Sequence, residues 1–142
     1  MRIFKEFKEL IDKVGYRYEE GMAGNPYIMI PITIANTVRL RIFFIFDEVE
    51  GGDKALISMK IFDVANISSP LKRDDLLRLL NDINAKYKFC RYVADNDGDV
   101  SIYYDCYADS IYALTSIVFV FSKTLEALED EELKKFMKLQ WT

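Results

Sequence analysis

The chain contains no histidine. That absence removes serine–histidine–aspartate and cysteine–histidine catalysis, the His-Glu-x-x-His zinc site and every mixed Cys/His zinc site. The chemistry left open is that of carboxylates, lysine or tyrosine. Positive charge is also in short supply: 19 Lys and Arg stand against 23 Asp and Glu, a net charge of −4. The basic pairs Lys72-Arg73 and Lys134-Lys135 each sit beside acids. A nucleic-acid binder needs clustered positive charge, so no nucleic-acid partner is expected. An acidic balance suits solubility, or a face for a basic partner.

Long apolar runs are missing as well. The most apolar stretch, Ile111 to Phe121, falls short of the ~20 residues that span a bilayer, and it contains Thr115 and Ser116. Charges interrupt the first residues, Met1 to Glu9, every few positions, so no signal-peptide core is present there. The expected setting is cytoplasmic, without a membrane partner, and with Cys90 and Cys106 reduced. No linker, low-complexity stretch or strong repeat divides residues 1–142, which read as one domain. Hydrophobic residues make up 51% and aromatic residues 14%. That is enough to build a core without a metal or a disulfide.

Periodicity sets out the elements. Ile3, Phe7, Leu10 and Val14 recur at three- and four-residue steps and predict a first helix, closed by Gly15. Tyr16–Glu20 reads as a short strand and Gly21–Pro26 as a turn or loop. Tyr27–Ile34 is β-branched and reads as a strand; Pro31 inside it predicts an edge or a bulge. Val38, Leu40, Ile42, Phe44 and Phe46 alternate with Arg39, Arg41, Phe43 and Ile45, the pattern of a strand. Gly51-Gly52-Asp53 predicts a hairpin turn back into Ala55, Ile57, Met59 and Ile61. Ser69-Pro70 opens the next helix, whose inward stripe is Leu76, Leu80, Ile83 and Tyr87, flanked by Leu77 and Asn84. A hairpin follows: Lys88–Asp95 and Asp99–Tyr107 around Asn96-Asp97-Gly98. A long helix starts near Ser110 and carries Ile111, Leu114, Val118, Phe121, Leu125 and Leu128. Glu129–Glu132 is expected to break or bend it. The predicted order is α-β-β-β-α-β-β-α: an α+β fold with an antiparallel sheet of about five strands and helices packed on it.

Two motifs in the hairpin have simple readings. Asp95, Asp97 and Asp99 superficially suggest calcium. An EF-hand loop starting at Asp95 would need glycine at its sixth position and glutamate at its twelfth, where Val100 and Cys106 stand. Asp-Gly is instead a favoured hairpin turn. With Asp97-Gly98 as a two-residue turn, Cys90 and Cys106 point to opposite faces and no disulfide is expected.

Six of the nine tyrosines lie between Tyr87 and Tyr112. In that same register Tyr92, Tyr103 and Tyr107 share one sheet face, opposite Phe89, Val93, Val100, Ile102 and Tyr104. Tyrosine is a good strand residue and also a frequent contact residue. The long helix is apolar beyond a single stripe, with Tyr112, Ile117, Phe119 and Val120 around its main seam. Such a helix lies either under other elements or against another chain. Tyr92, Tyr103, Tyr107, Tyr112, Ile117 and Val120 are therefore the candidate protein-interaction residues, and a homodimer is the expected assembly.

The stretch Leu79-Leu80-Asn81-Asp82-Ile83-Asn84-Ala85-Lys86-Tyr87-Lys88-Phe89, then Arg91 to Asp99 and Val100 to Tyr104, resembles the YbjN family, described as bacterial sensory transduction regulators. The shared pattern is a helix ending in Leu-Asn-x-x-Asn, an aromatic strand, an Asp-Gly hairpin and a second strand. The element order is similar to that of type III secretion chaperones, small acidic dimers that bind extended segments of client proteins. The resemblance brings no catalytic residue, metal or cofactor with it. Asn81 and Asn84 match the family's helix pattern, with capping or side-chain bonding at the helix end as their expected role.

The functional expectation is a non-enzymatic, chaperone-like adaptor or regulator that binds protein and pairs with itself. A second class is a neutralising partner of a bacterial toxin, steered by charge onto a basic target. The third is an enzyme relying on carboxylates or a buried lysine, for which the sequence offers no pair that can be placed together.

Overall fold

The computed structural model describes residues 2–49 and 53–142. The glycines of the expected Gly51-Gly52-Asp53 turn lie outside them. Helix α1 (Arg2–Val14) leads into strands β1 (Glu19–Ala23), β2 (Asn25–Ile34), β3 (Val38–Val49) and β4 (Lys54–Asn66). A 3₁₀ turn at Pro70–Lys72 opens α2 (Arg73–Lys86). Strands β5 (Arg91–Ala94) and β6 (Asp99–Ala108) follow. Helix α3 (Ile111–Ala127) then passes through a π-helical segment, Leu128–Glu132, into α4 (Leu133–Gln140). The six strands form one antiparallel sheet, in the order β1-β2-β3-β4-β6-β5. The α+β class stands, with one strand more than expected.

Alternation along the strands sorts the sheet into two faces. Ile28 and Ile30 of β2, Leu40, Ile42, Phe44 and Phe46 of β3, Ala55, Ile57, Met59 and Ile61 of β4 and Val100 and Ile102 of β6 point one way and are buried. The helices cover this face. Phe7 of α1 meets Phe44 and Phe46 at ring separations of 4.9 and 5.3 Å. Phe121 of α3 stands edge-on to Phe44 at 5.5 Å, and Phe136 of α4 stacks on Tyr92 at 6.1 Å. Each such ring contributes roughly 1.5–3 kcal/mol on leaving water.

Several sequence expectations change in detail. The buried seam of α1 is Ile3, Phe7 and Ile11, while Val14 is exposed. The helix is therefore turned by one position from the Leu10–Val14 stripe. Gly15 does close it, at φ +95°, with its N–H donating to the Ile11 carbonyl. Gly21–Pro26 is not a loop: β1 and β2 meet in a tight hairpin at Gly24. Pro31 pairs with Arg41 on one side only, because β1 reaches no further than Met29. Proline is tolerated there for lack of a second neighbour. The acidic stretch Glu129–Glu132 does not break the last helix. It winds wider, and one helix runs from Ile111 to Gln140 for 30 residues. By length and apolarity alone that helix could cross a membrane, so the short-run argument no longer applies. Its seam, Leu114, Ile117, Val118, Val120, Phe121, Leu128, Leu133 and Phe136, is buried within the fold.

The largest change concerns the β5–β6 hairpin. The loop is Asn96-Asp97-Gly98, with Asp95 opposite Asp99 and the Asp95 N–H donating to the Asp99 carbonyl at 3.0 Å. Gly98 takes φ +82°, as in a type I turn closed by a left-handed residue. Three loop residues in place of two move the register by one, so Tyr92 faces Ile102. A one-residue slip sends a side chain to the other face. Tyr92 is consequently in the core, 2% exposed, and parts company with Tyr103. Phe89, set by the two-residue turn on the face with Val100 and Ile102, is exposed and precedes β5. Both cysteines are free; Cys90 is buried, its Sγ 3.0 Å from the Thr124 hydroxyl.

Candidate protein-interaction surface

Among the described residues the helices pack on one face of the sheet and leave the other bare. On that bare face the register lines up a cross-strand row: Met29, Phe43, Lys60, Tyr103 and Arg91, one from each of β2, β3, β4, β6 and β5. Beside it runs Tyr27, Ile45, Ser58 and Asp105. The rings touch in series. Tyr27 and Phe43 lie 5.5 Å apart, Phe43 and Phe62 5.8 Å, and Phe62 and Tyr103 6.2 Å. Leu56 and Tyr107, paired across β4 and β6, extend the apolar area and are about half exposed, at 49% and 48%. The Tyr27 ring lies over the Gly21 backbone, where a Cβ would stand 2.2 Å from it. This glycine thus lets the edge strand be capped by an aromatic ring.

Cations frame the row. The Lys60 ammonium and the Arg91 guanidinium sit over the Tyr103 ring at 5.5 and 5.7 Å from its centre. Arg91 pairs with Asp105 at 3.0 Å. Hydrogen bonding from Ser58, helped by Arg91 and Lys60, holds the Asp105 carboxyl below its ordinary range. Arg39 and Arg41 are exposed on the same face.

Of the residues singled out from the sequence, Tyr103 and Tyr107 lie on this face. Tyr112 lies on the helical side, 82% exposed. Tyr92, Ile117 and Val120 are core residues and are corrected accordingly: the register change buries Tyr92, and the broad buried side of α3 takes Ile117 and Val120. Sequence reasoning missed Tyr27, Phe43, Leu56 and Phe62. Phe43 and Ile45 did carry a signal, as apolar residues at the positions alternating with the core set.

On the helical side a groove of about 510 Å³ runs between the Lys86–Cys90 segment and α3. Phe89, Phe119 and Val120 form its apolar walls, and Lys88 and Asp130 stand at its rim. Beneath lies Glu132, fully buried in the π-helical segment. Its Oε1 accepts from Lys86 Nζ at 3.0 Å, the Tyr87 hydroxyl at 3.1 Å and Lys135 Nζ at 3.3 Å, while Oε2 has no partner. The structure thus gathers a lysine and carboxylates that the sequence could not place together. Their electrostatics are those of an ion-pair network. Glu131, then Glu132, push the Lys86 ammonium up, which favours its charged form over a nucleophilic amine. Burial pushes the Tyr92 hydroxyl up, and that of the Cys106 thiol to about 11, so neither ionises readily near neutrality. Among the described residues no cluster of three or more Cys, Asp or Glu suits a metal ion.

The three hairpin aspartates serve the turn. Asp95 Oδ1 accepts from the N–H groups of Asp97 and Asp99 at 2.9 and 3.0 Å, and Asn66 donates to Asp99 Oδ1. Asn84 bonds both backbone groups of Tyr92: its Nδ2 donates to the carbonyl at 2.9 Å, and its Oδ1 accepts from the N–H at 2.7 Å. The carboxamide occupies the outer edge of β5 as a neighbouring strand would.

No curated protein matches the chain. The family model YbjN, described as "Putative bacterial sensory transduction regulator", matches residues 8–131. That span runs from α1 to the π-helical segment and includes Asn84, the Asp95–Asp99 turn and the strands of the bare face. The chain therefore belongs to the YbjN family.

Proposed function

We propose that this protein is a non-enzymatic regulator that acts by binding another polypeptide on the bare face of its sheet. One observation carries the reading: four rings that touch in series, Tyr27, Phe43, Phe62 and Tyr103, lie on a face that no helix among the described residues covers. Such aromatic surface in water is a standing cost, relieved when a partner covers it. The protonated state of Lys86 and of the two thiols supports a role without nucleophilic catalysis. A reducing, cytoplasmic setting suits two free thiols.

The chaperone-like part of the reading is that the partner binds as an extended segment, while the protein pairs with its own copy on the helical side. Tyr112, Phe119 and Phe89 remain exposed there at 82%, 55% and 59%. The neutralising-partner reading loses ground, because the bare face is framed by cations and a basic toxin would be repelled from it.

The test places a photo-reactive phenylalanine analogue at Phe62 and, as control, at Leu71, which is 94% exposed in the Pro70–Lys72 turn, outside the sheet. The cross-linked protein is identified, purified and titrated back onto the wild type and onto Phe62→Asp. A discrete partner captured from position 62 alone, with binding lost in the variant, is expected. Equal capture from both positions, or unaltered binding by the variant, would refute the proposal.

A further inference from the structure

We infer that the occupant of the bare face is an acidic, extended polypeptide segment of about six residues that alternates carboxylates with apolar or aromatic side chains. This inference rests on the reading of the bare face as the binding surface. Its length follows from the row. Five strands at a spacing of about 4.8 Å span roughly 19 Å, which an extended chain covers in about six residues at ~3.3 Å each.

Its charge follows from the cations. Arg39, Arg41, Lys60 and Arg91 stand among or beside the rings. Among the described residues Arg39, Arg41 and Lys60 have no carboxylate within ion-pair distance, and Arg91 alone is paired, with Asp105. Asp47 and Glu19 lie on the same face toward its margins. In a protein of net charge −4, three cations without an ion-pair partner thus stand on the bare aromatic surface. A carboxylate set between two apolar side chains meets both features at once. Charge-assisted bonds to arginine supply direction, and the rings supply area.

Aromatic rings among cations also suit single-stranded nucleic acid. The ring arrangement disfavours it. Phe62 meets both Phe43 and Tyr103 edge to face, and Lys60 and Arg91 already lie over the Tyr103 ring. Base stacking needs an open ring face, whereas a carboxylate needs only the outward side of the cations.

The experiment uses the full chain and three fluorescent probes. They are the peptide Glu-Phe-Asp-Tyr-Glu-Leu-Asp, the same peptide with lysine at every acidic position, and a uridine oligonucleotide. Anisotropy titrations are made on the wild type and on the double variant Arg41→Glu/Lys60→Glu, with circular dichroism to verify its fold; Lys5→Glu/Lys134→Glu, exposed on α1 and α4, makes the same change in net charge away from the rings. The acidic peptide is expected to bind, to weaken at least about tenfold in the double variant, and to weaken with added salt. Stronger binding of the lysine peptide or of the oligonucleotide would overturn the inference. So would failure of the acidic peptide to bind, or binding that survives charge reversal. A partner still captured at Phe62 in those cases would leave the binding face standing and remove only the acidic chemistry. Capture failing as well would remove both.

Discussion

Replacing Asn84 by alanine tests how the short edge strand is held. β5 has four residues and one strand neighbour, β6. In the antiparallel ladder the backbone of Tyr92 points away from β6, so its N–H and C=O need another partner. Asn84 supplies both bonds, at 2.7 and 2.9 Å, from the last turn of α2. Asn84→Ala leaves a donor and an acceptor without a partner in a part-buried position. Each such loss costs about 1–3 kcal/mol when fully buried and less where water can enter. The expected total is about 2 kcal/mol. For a chain of this size that lowers the melting temperature by roughly 6–8 °C.

Urea unfolding measures the cost, and amide hydrogen exchange localises it. The Tyr92 amide of the variant should exchange much faster, while amides of β3, at the centre of the sheet, change only by the global loss in stability. Asn84→Asp keeps the acceptor and loses the donor, so it should retain protection at Tyr92 while remaining destabilised. An alanine variant within about 0.5 kcal/mol of the wild type, with the Tyr92 amide still protected, would refute the reasoning. It would mean that stacking of Tyr92 against Tyr87 and Phe136 holds the strand without the clamp.

Two further outcomes are expected. Gly98→Ala should destabilise the protein by about 2 kcal/mol or more in urea titrations, because Gly98 has φ +82° and a Cβ there would stand 2.1 Å from the Ile67 carbonyl oxygen. The depressed carboxyl of Asp105 contributes stability that is present above its unfolded value near ~3.9 and lost as the pH falls through its folded value. The stability gap between wild type and Asp105→Asn, below about 1 kcal/mol for so exposed a pair, should hold from pH 7 to about 5 and close in stronger acid.

Most elements were legible because their periods are local. The core set of β3 and β4 alternates as the sequence alternates, and Leu76, Leu80 and Ile83 form the buried stripe of α2 as spaced. The hairpin register was not legible. Asp97-Gly98 accommodates either a two-residue or a three-residue loop. The choice is made by groups distant in sequence: Asn66 bonds Asp99, the Ile67 N–H bonds the Gly98 carbonyl, and Arg73 bonds the Asp95 carbonyl. These contacts exist only once β4 and α2 are in place. That single residue decided whether Tyr92 belonged to the candidate surface or to the core.

The apolar excess of the last helix misled for a related reason. Ile117 and Val120, beyond its main seam, suggested a face covered either by other elements or by another chain. A helix wedged between a sheet, a second helix and a returning segment buries far more than one stripe. Here Tyr16 touches Phe121, Phe44 stands behind it, and Cys90 reaches Thr124. Folding leaves apolar surface on both sides: Phe89, Tyr112 and Phe119 on the helical side, and on the bare face of the sheet Leu56, Tyr107 and Phe62, which abuts Phe43. In sequence Phe43 and Phe62 look like ordinary strand residues, since aromatic side chains favour strands whether or not anything binds them. Their meaning appears only when the strand order places them edge to edge beside Lys60 and Arg91, with every helix on the far side. The case for a binding face is therefore a property of topology, and no count of aromatic residues would have supplied it.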